Sequence, residues 1–248
     1  MDTASRRERT APLRHRVLLR LLDEAARSGA LTGAPLEVLD CGGGSGSSAV
    51  PLAQAGARVT VVDLSADALA VLRRRANEAG VDDRVRAVQG DIEALGEVVP
   101  AAAFDLVLAH EVLEAVDRPD TALAAVVDAT RTAGRISIVI ANPVASVLAR
   151  VLAGDVGSAL FELRALTEPA HGPLDVTRLQ AMCHQLGLAV EQIYGVGVFT
   201  EFVPGAEFDV GRTAPAGDAL AEIEQLAADR SPYREIASRI HLLARRTP

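Results

Sequence analysis

The sequence lacks several features by which classes of protein are recognised. It contains no lysine and no tryptophan, and only two cysteines and five histidines. Two thiols make no disulfide framework and suit a reducing compartment. Without CxxC or HxxxH spacing, no metal site is predicted. No apolar run reaches the roughly 20 residues of a membrane helix, and the polar start of the chain does not resemble a signal peptide. We therefore expect a cytoplasmic protein with no metal and no membrane span.

The overall charge is acidic, with a formal net charge of −8 over 248 residues. General attraction to nucleic acid depends on basic side chains that contact phosphate, so this composition does not favour it. Hydrophobic residues make up 49% of the chain, enough for a sizeable core. This length allows one or two domains.

Short β-type runs alternate with helical patterns through the middle of the chain. The predicted strands are Leu36–Asp40, Arg58–Asp63, Arg84–Gln89, Phe104–Ala109 and Arg135–Ile140. The helical patterns between and before them are Leu13–Ala26, Ser45–Ala55, Ser65–Ala79 and Pro119–Thr130. Such alternation predicts an α/β fold, a doubly wound and mostly parallel sheet with helices on both faces.

Beyond residue 141 the pattern loosens. Helices are predicted at Val144–Ala153, Asp175–Leu186 and Ala216–Ala228, and strands at Ala189–Phe199 and Arg239–Ala244. The mixed segment Asp155–Leu174 is interpreted as part of an insertion over the sheet. No internal repeat or long linker is present, so one domain over residues 1–248 is expected.

A glycine-rich loop follows the first predicted strand. Asp40 is followed by Cys41 and then by Gly42, Gly43 and Gly44, and glycine allows both a sharp turn and the close approach of a ligand. The segment from Gly44 to residue 49 also matches the weak G-x-G-x-x-A pattern of dinucleotide sites. However, a carboxylate at Asp40 would repel a pyrophosphate and favour a cationic ligand such as S-adenosylmethionine (SAM).

Two further acids end the next strands. Asp63, with Leu64 beside it, is placed to accept hydrogen bonds from ribose hydroxyls, a role common to NAD and SAM sites. Asp91 could accept from an adenine amino group while the N–H of Ile92 meets a ring nitrogen. Helix capping is the alternative role for Asp91. Because ligands bind outside the carboxyl ends of the strands in such sheets, these side chains predict a nucleoside site.

Together, the glycine loop and the three acids resemble the class I, Rossmann-like SAM-dependent methyltransferases over about residues 34–142. The resemblance implies a seven-stranded sheet whose last strand is antiparallel, with SAM as cofactor. It divides the chain into a leading helix (1–33), a cofactor-binding half (34–142) and a substrate-side half (143–248) with an insertion (143–174).

A narrower resemblance, to bacterial tRNA 5-carboxymethoxyuridine methyltransferases, runs nearly from end to end. It rests on motifs at residues 13–14, 104–114, 134–142, 151–154, 195–199 and 232–241. It implies that Arg14 pairs with the carboxylate of the cofactor and that His110 lies beside the cofactor. The sequence departs from that family at three places. Gly197 stands where an arginine is expected, Ala115 stands where a tryptophan is expected, and Thr200–Phe202 stands where the family has His-Asp-Tyr.

The chemistry predicted is O-methylation of a carboxylate, on a modified tRNA wobble uridine or on a small molecule. A carboxylate is already ionised at neutral pH and needs no general base. If the acceptor were a hydroxyl or an amine, His110 or Glu111 would be the candidate base. No residue is assigned a catalytic role. The other interpretations are an NAD-dependent oxidoreductase and a SAM-binding protein without catalysis.

Overall fold

The computed structural model describes residues 35–167, 172–200 and 215–247. Within these ranges the chain forms one sheet of seven strands. The strands are β1 (Glu37–Cys41), β2 (Arg58–Asp63), β3 (Val85–Gln89), β4 (Phe104–His110), β5 (Thr130–Ala141), β6 (Leu188–Val196) and β7 (Arg239–Arg246).

The helices of the described residues follow the alternation that the sequence predicts. They are α1 (Ala49–Gln54), α2 (Ala66–Glu78), α3 (Pro119–Ala129), α4 (Pro143–Leu152), α5 (Val156–Leu166), α6 (Val176–Gln185) and α7 (Pro215–Ala227). Short 3-10 helices occupy Asp82–Arg84, Ile92–Glu97 and Arg234–Ile236.

The strand order is β3-β2-β1-β4-β5-β7-β6. Strand β7 pairs antiparallel with both β5 and β6, so the other six strands share one direction. This arrangement confirms the predicted Rossmann-like sheet with an antiparallel last strand. The chain order reverses between β1 and β4, and a crevice at such a reversal is where ligands bind in open α/β sheets.

Apolar side chains on successive residues of each central strand pack on opposite faces of the sheet. On one face, Leu39 packs in a cluster with side chains of α3 and α6. On the other face, Val38 packs with side chains of α1 and α2. Because β1 is covered on both sides, its neighbouring residues Val38 and Leu39 are both apolar and fully buried, as expected of a parallel strand.

Most boundaries lie within three residues of those predicted, and three differences are larger. The helix after the glycine loop begins at Ala49, because residues 43–48 form turns, with Gly44 and Gly46 at positive φ. Strand β5 begins five residues early, at Thr130. The segment interpreted as mixed contains the regular helix α5, whose first turn is capped by the Asp155 side chain. The predicted leading helix Leu13–Ala26 lies outside the described residues.

No helix in the described part of the chain is long and apolar enough to cross a membrane. Within the same ranges, no cluster of three or more His, Cys, Asp or Glu side chains could hold a metal ion.

Candidate cofactor site and acceptor-side edge

The glycine loop leaves β1 at the carboxyl edge of the sheet and needs glycine for different reasons at each position. Gly42 and Gly44 have φ values of +67° and +53°, in the left-handed region that favours glycine. A Cβ on Gly43 would lie 2.5 Å from Asp40 Oδ2 and 2.9 Å from Val61 Cγ1. The chain therefore packs directly over the Asp40 carboxylate, where any larger residue would displace it.

The acid on β1 lies under the loop rather than at its open mouth. Asp40 is only 2% exposed. Burial, and to a lesser extent the charge of Asp40, raises the pKa of the neighbouring Cys41 thiol. That thiol is fully buried in the core, so it is a poor candidate for nucleophilic chemistry.

Asp63 ties the end of β2 to the glycine loop. Its Oδ2 accepts a hydrogen bond of 2.8 Å from the backbone N–H of Gly44, and its Oδ1 accepts one of 2.8 Å from Ser65. A carboxylate offers about four acceptor positions, so two remain for a ligand. A Cβ on Gly44 would make only an ordinary van der Waals contact, 3.7 Å from Asp63 Oδ2. Leu64, next along the chain, is 66% exposed.

Asp91 follows β3 and acts as a helix cap. Its Oδ1 accepts a hydrogen bond of 2.9 Å from the N–H of Glu93, at the start of a 3-10 helix. This is the capping role that the sequence left open as an alternative. Asp91 remains exposed at the same edge as Asp63, whereas the Ile92 side chain is buried at 6% exposure.

His110 ends β4 beside the glycine loop, since β4 is the neighbour of β1 in the sheet. Its Nε2 lies 2.9 Å from Ser137 Oγ, which lies 2.7 Å from Nε2 of the fully buried His241. Burial lowers the pKa of His241 to about 4. The His110 and His241 rings meet edge to face, with centroids 5.9 Å apart.

The acceptor-side edge of the sheet carries charge of both signs. Glu111 follows His110 with a φ of +56°, an uncommon conformation for a side-chain-bearing residue that often marks a functional position. Its carboxylate lies 3.0 Å from the guanidinium of Arg239, at the start of β7. Because β7 is antiparallel, its start lies at the same edge as the end of β4. Both side chains are more than one-third exposed.

A buried carboxylate organises the chain that follows β6. Glu224 on α7 is 7% exposed and accepts hydrogen bonds of 2.7–2.9 Å from the N–H groups of Val198, Phe199 and Thr200. The Thr200 hydroxyl also donates to it, at 2.6 Å. This carboxylate fixes the backbone at the acceptor-side end of β6.

Helices α4 and α5 present an apolar surface to solvent. Their exposed side chains, from 47% to 76% exposed, are Val144, Val151, Leu152, Val156, Leu160, Phe161 and Leu163. Asn142 starts α4: its Oδ1 accepts from the N–H of Val144, and its Nδ2 donates to the carbonyls of Glu235 and Ala237. The apolar helices are thereby joined to the acceptor-side edge.

The structure brings Asp40, the three loop glycines, Asp63, Asp91 and His110 to one edge of the sheet. Arg14 lies outside the described residues. Sequence reasoning missed Ser137, His241 and Glu224. A buried polar residue within an apolar strand is the signal that could have drawn attention to the first two.

A Rossmann-like sheet, with a glycine loop and acids at the carboxyl edge of its strands, defines a nucleoside-binding protein. Residues 39–138 match a family model described as a methyltransferase domain. A ubiquinone biosynthesis O-methyltransferase from Xylella fastidiosa is 32% identical over 213 residues, 85% of this chain and 79% of that protein.

A second relative, a tRNA 5-carboxymethoxyuridine methyltransferase from Escherichia coli, is 26% identical over 85% of this chain and 80% of its own. Among solved structures, magnesium protoporphyrin IX methyltransferase from Synechocystis, with bound SAH, superposes with a TM-score of 0.55 at 15% identity, covering 94% of this chain and 84% of that one. The chain belongs to the class I SAM-dependent methyltransferases. It is an enzyme with SAM as cofactor, so the oxidoreductase and non-catalytic interpretations are set aside.

Proposed function

We propose that this enzyme transfers the methyl group of SAM to a carboxylate oxygen. The observation that carries the proposal is the Arg239 guanidinium at the acceptor-side edge, 39% exposed and within ion-pair distance of Glu111. Guanidinium groups recognise carboxylates through paired hydrogen bonds. An acceptor carboxylate could exchange for the Glu111 side chain, which is held in a sparsely populated backbone conformation.

The cofactor would lie along the edge from β1 to β4. We assign the ribose to the free acceptor positions of Asp63, with Leu64 beside it. Gly42, Gly43 and Gly44 are assigned to the close approach of the cofactor along the loop. The adenine base is assigned to Asp91 and the Ile92 N–H. Asp40 and His110 are assigned to the neighbourhood of the cationic end of the cofactor, and Arg14 is assigned to its carboxylate. Among these, Asp63 is supported best, because its two bound N–H groups already fix its orientation.

When bound, SAM supplies an electrophilic methyl group on a sulfonium. The protein then has to align an oxygen with that methyl group at near-attack distance. A carboxylate with a pKa of about 4 is ionised at neutral pH, so no side chain has to remove a proton from it. Arg239 would orient the acceptor and Glu224 would hold the neighbouring chain at 198–200.

We favour a small molecule as the carrier of the acceptor carboxylate, because of the surface next to the site. The exposed apolar side chains of α4 and α5, at the edge where the acceptor enters, suit an apolar body. A net charge of −8 and Gly197 in place of an arginine do not suit RNA. A modified tRNA wobble uridine is the second candidate, favoured by the E. coli relative that matches 85% of the chain.

The acceptor is tested by methyl transfer from radiolabelled SAM to bacterial tRNA and to a panel of small carboxylic acids. Mild alkali then distinguishes the product, because a methyl ester releases volatile methanol whereas a methyl ether or methylamine does not. Alkali-labile label on a small acid supports the favoured proposal, and such label on tRNA selects the second candidate. Alkali-stable label contradicts a carboxylate acceptor on either carrier.

The cofactor site is tested by calorimetry with SAM and SAH. Asp63→Ala removes a charged acceptor, and hydrogen bonds to charged groups contribute about 1.5–3 kcal/mol, so affinity should fall roughly 10- to 100-fold. Asp67→Ala, which changes an exposed acid in the first turn of α2, is the matched control and should bind SAM normally. Equal affinities for the two variants would contradict the assignment of the ribose to Asp63.

A further inference from the structure

Helices α4 and α5 form a hairpin that buries very little of itself. Helix α4 has no buried residue, and Ala159 is the one buried residue of α5. A helix on the surface of a domain normally turns its apolar stripe toward the core. The folding of this domain therefore leaves the apolar residues of the hairpin largely uncovered.

Polar side chains join the two helices to each other. The Glu162 carboxylate on α5 accepts hydrogen bonds from Ser146 and from Arg150 on α4, at 2.8 and 2.5 Å. Arg150 also pairs with Asp155, which caps α5, at 3.4 Å. The hairpin thus uses its polar groups for its own seam, and its large apolar side chains stand in solvent.

The exposed apolar side chains form what we call the hairpin surface. Its members are Val144, Val151, Leu152, Val156, Leu160, Phe161 and Leu163, between 47% and 76% exposed. At these exposures they present on the order of 700 Å², whereas the largest apolar patch of a typical monomer is roughly 300–600 Å². Each partner in a standard protein–protein interface buries about 800 Å². The hairpin surface is therefore of the size that a stable dimer needs.

A small methyl acceptor cannot cover this surface. Val144 lies in the first turn of α4, next to the Asn142 contacts that join the helix to the acceptor-side edge. Leu152 lies eight residues further, or about 12 Å along the helix axis. Val151, Leu152 and Val156 are thus at the end of the hairpin remote from the edge. An acceptor at the edge reaches the start of α4, and the rest of the surface needs a larger partner.

The charge of the hairpin favours another protein surface over a lipid surface or a nucleic acid. Residues 143–167 contain two arginines and two acids, and the whole chain has no lysine and a net charge of −8. Helices that lie on membranes are commonly rich in Lys and Arg, which anionic lipids attract. Interfaces between identical subunits are more apolar than other surfaces, and their cores are depleted of charge. A neutral apolar surface can also meet a copy of itself without like-charge repulsion.

We propose that two copies of this chain pair through the hairpin surface, with α4 and α5 of one protomer packed against α4 and α5 of its partner. In a two-fold contact each protomer contributes the same residues, so the hairpin surfaces cover each other. A dimer of this modest area dissociates in denaturant before the protomer unfolds, so the protomer's own free energy of unfolding is separate from it. The proposal is independent of the identity of the acceptor.

Sedimentation equilibrium over a range of protein concentrations tests the dimer. The unaltered enzyme should pass from monomer to dimer with a Kd of about 10 µM or tighter. Phe161→Glu places a charge in the interface and should raise the Kd at least about 30-fold. Leu152→Glu is a second variant at the far end of the hairpin and should act in the same direction.

Val71→Glu is the matched control, because Val71 is an exposed apolar residue on α2, outside the hairpin. It should dimerise normally, and normal SAM binding by all three variants would show that they fold. An unaltered enzyme that stays monomeric at about 100 µM overturns the proposal. A dimer that both hairpin variants leave intact, or that Val71→Glu weakens equally, also overturns it.

Spin labels locate the contact. Cys41 and Cys183 are buried, so a single introduced cysteine should take the label. Electron–electron distances between protomers should be shorter for a label at Ala153→Cys, at the exposed turn of the hairpin, than for one at Val71→Cys. The reverse order would place the interface elsewhere and overturn the proposal.

Two further measurements identify any competing occupant of the surface. Flotation with phosphatidylcholine vesicles tests a lipid, and chemical denaturation of Phe161→Glu tests cover by another part of the same chain. We expect no vesicle binding and an unfolding free energy close to that of the unaltered protomer. A monomer that binds vesicles, or one that Phe161→Glu strongly destabilises, would assign the surface to that other occupant and overturn the dimer.

Discussion

The cofactor-side and acceptor-side halves of the chain cover their apolar surface to different degrees. Among the described residues before 143, the large apolar side chains that stand exposed are Leu64 and Val71. After residue 143, α4 and α5 alone expose seven, with Phe161 at 76%. An apolar surface of this kind marks a place for a ligand or partner rather than a requirement of folding. The cofactor-side half therefore buries nearly all its large apolar side chains in its own core, whereas the acceptor-side half leaves an apolar surface for a ligand or partner.

Core truncation should give the largest contrast between the halves. Leu72→Ala removes a fully buried side chain of α2 and should lower the free energy of unfolding by about 2–5 kcal/mol. Phe161→Ala removes a larger side chain from α5 but should change the free energy of unfolding by less than about 0.5 kcal/mol. Chemical denaturation of both variants measures the difference. A comparable loss in Phe161→Ala would show that the apolar surface is covered in the folded protein.

Acid should weaken the acceptor-side sheet through His241. Its pKa is about 4 in the folded chain and about 6.5 when unfolded. Between these values the unfolded chain binds the extra proton, so stability is complete above pH 6.5 and falls as the pH drops toward 4. The loss approaches about 3 kcal/mol at the lower limit.

Unfolding free energies of the unaltered enzyme and of His241→Gln should be compared between pH 6.5 and 5, before most carboxylates titrate. The glutamine variant should have the shallower pH dependence. Parallel curves would mean that His241 is protonated in the folded state or that its burial is relieved.

An added methyl group in the glycine loop should test how tightly the cofactor side is packed. The Cβ of Gly43→Ala would lie 2.5 Å from Asp40 Oδ2, so the loop has to move, at a cost of about 1–3 kcal/mol. Because the loop moves, SAM affinity should also fall. Gly96→Ala places the same methyl group in open space and should bind SAM normally. Normal binding by both variants would show that the loop accommodates the side chain.

Neutralising Glu224 should give the smallest of these effects and confine it to the acceptor side. Glu224→Gln weakens charge-assisted hydrogen bonds to the N–H groups at 198–200, with an expected cost of about 1.5 kcal/mol. Methyl transfer should decline while SAM affinity stays constant. The control is Glu222→Gln, an exposed neighbour on the same helix. A drop in SAM affinity in Glu224→Gln would show that the two halves are coupled.

Much of the cofactor side could be predicted from the sequence because its signals are local. The bounds of β2, Arg58–Asp63, match the prediction, since a β-branched run between a glycine and a serine cap has few alternatives. Ser65 caps α2 as expected, accepting from the N–H of Ala68 at 3.1 Å. The role of Asp91 stayed ambiguous, because capping and ligand binding require the same residue in the same place.

The acceptor side was predicted less well. Helix α5 was interpreted as part of a mixed segment, because its glycine and its exposed apolar residues hide the amphipathic pattern. The assignments of the cofactor-binding residues, Arg14 among them, remain predictions, as does the division of the chain into a single domain with an insertion at 143–174.

The sequence by itself determined the class of fold, the glycine loop and the order of acids along the chain, because strand and helix periods and turn residues act over short distances. Only the tertiary structure decided that Ser137 and His241, 104 residues apart, would share a hydrogen bond. It also decided that Arg239 would meet Glu111. These contacts depend on the insertion of β7 between β5 and β6 and on its register, which are set by the packing of the whole sheet.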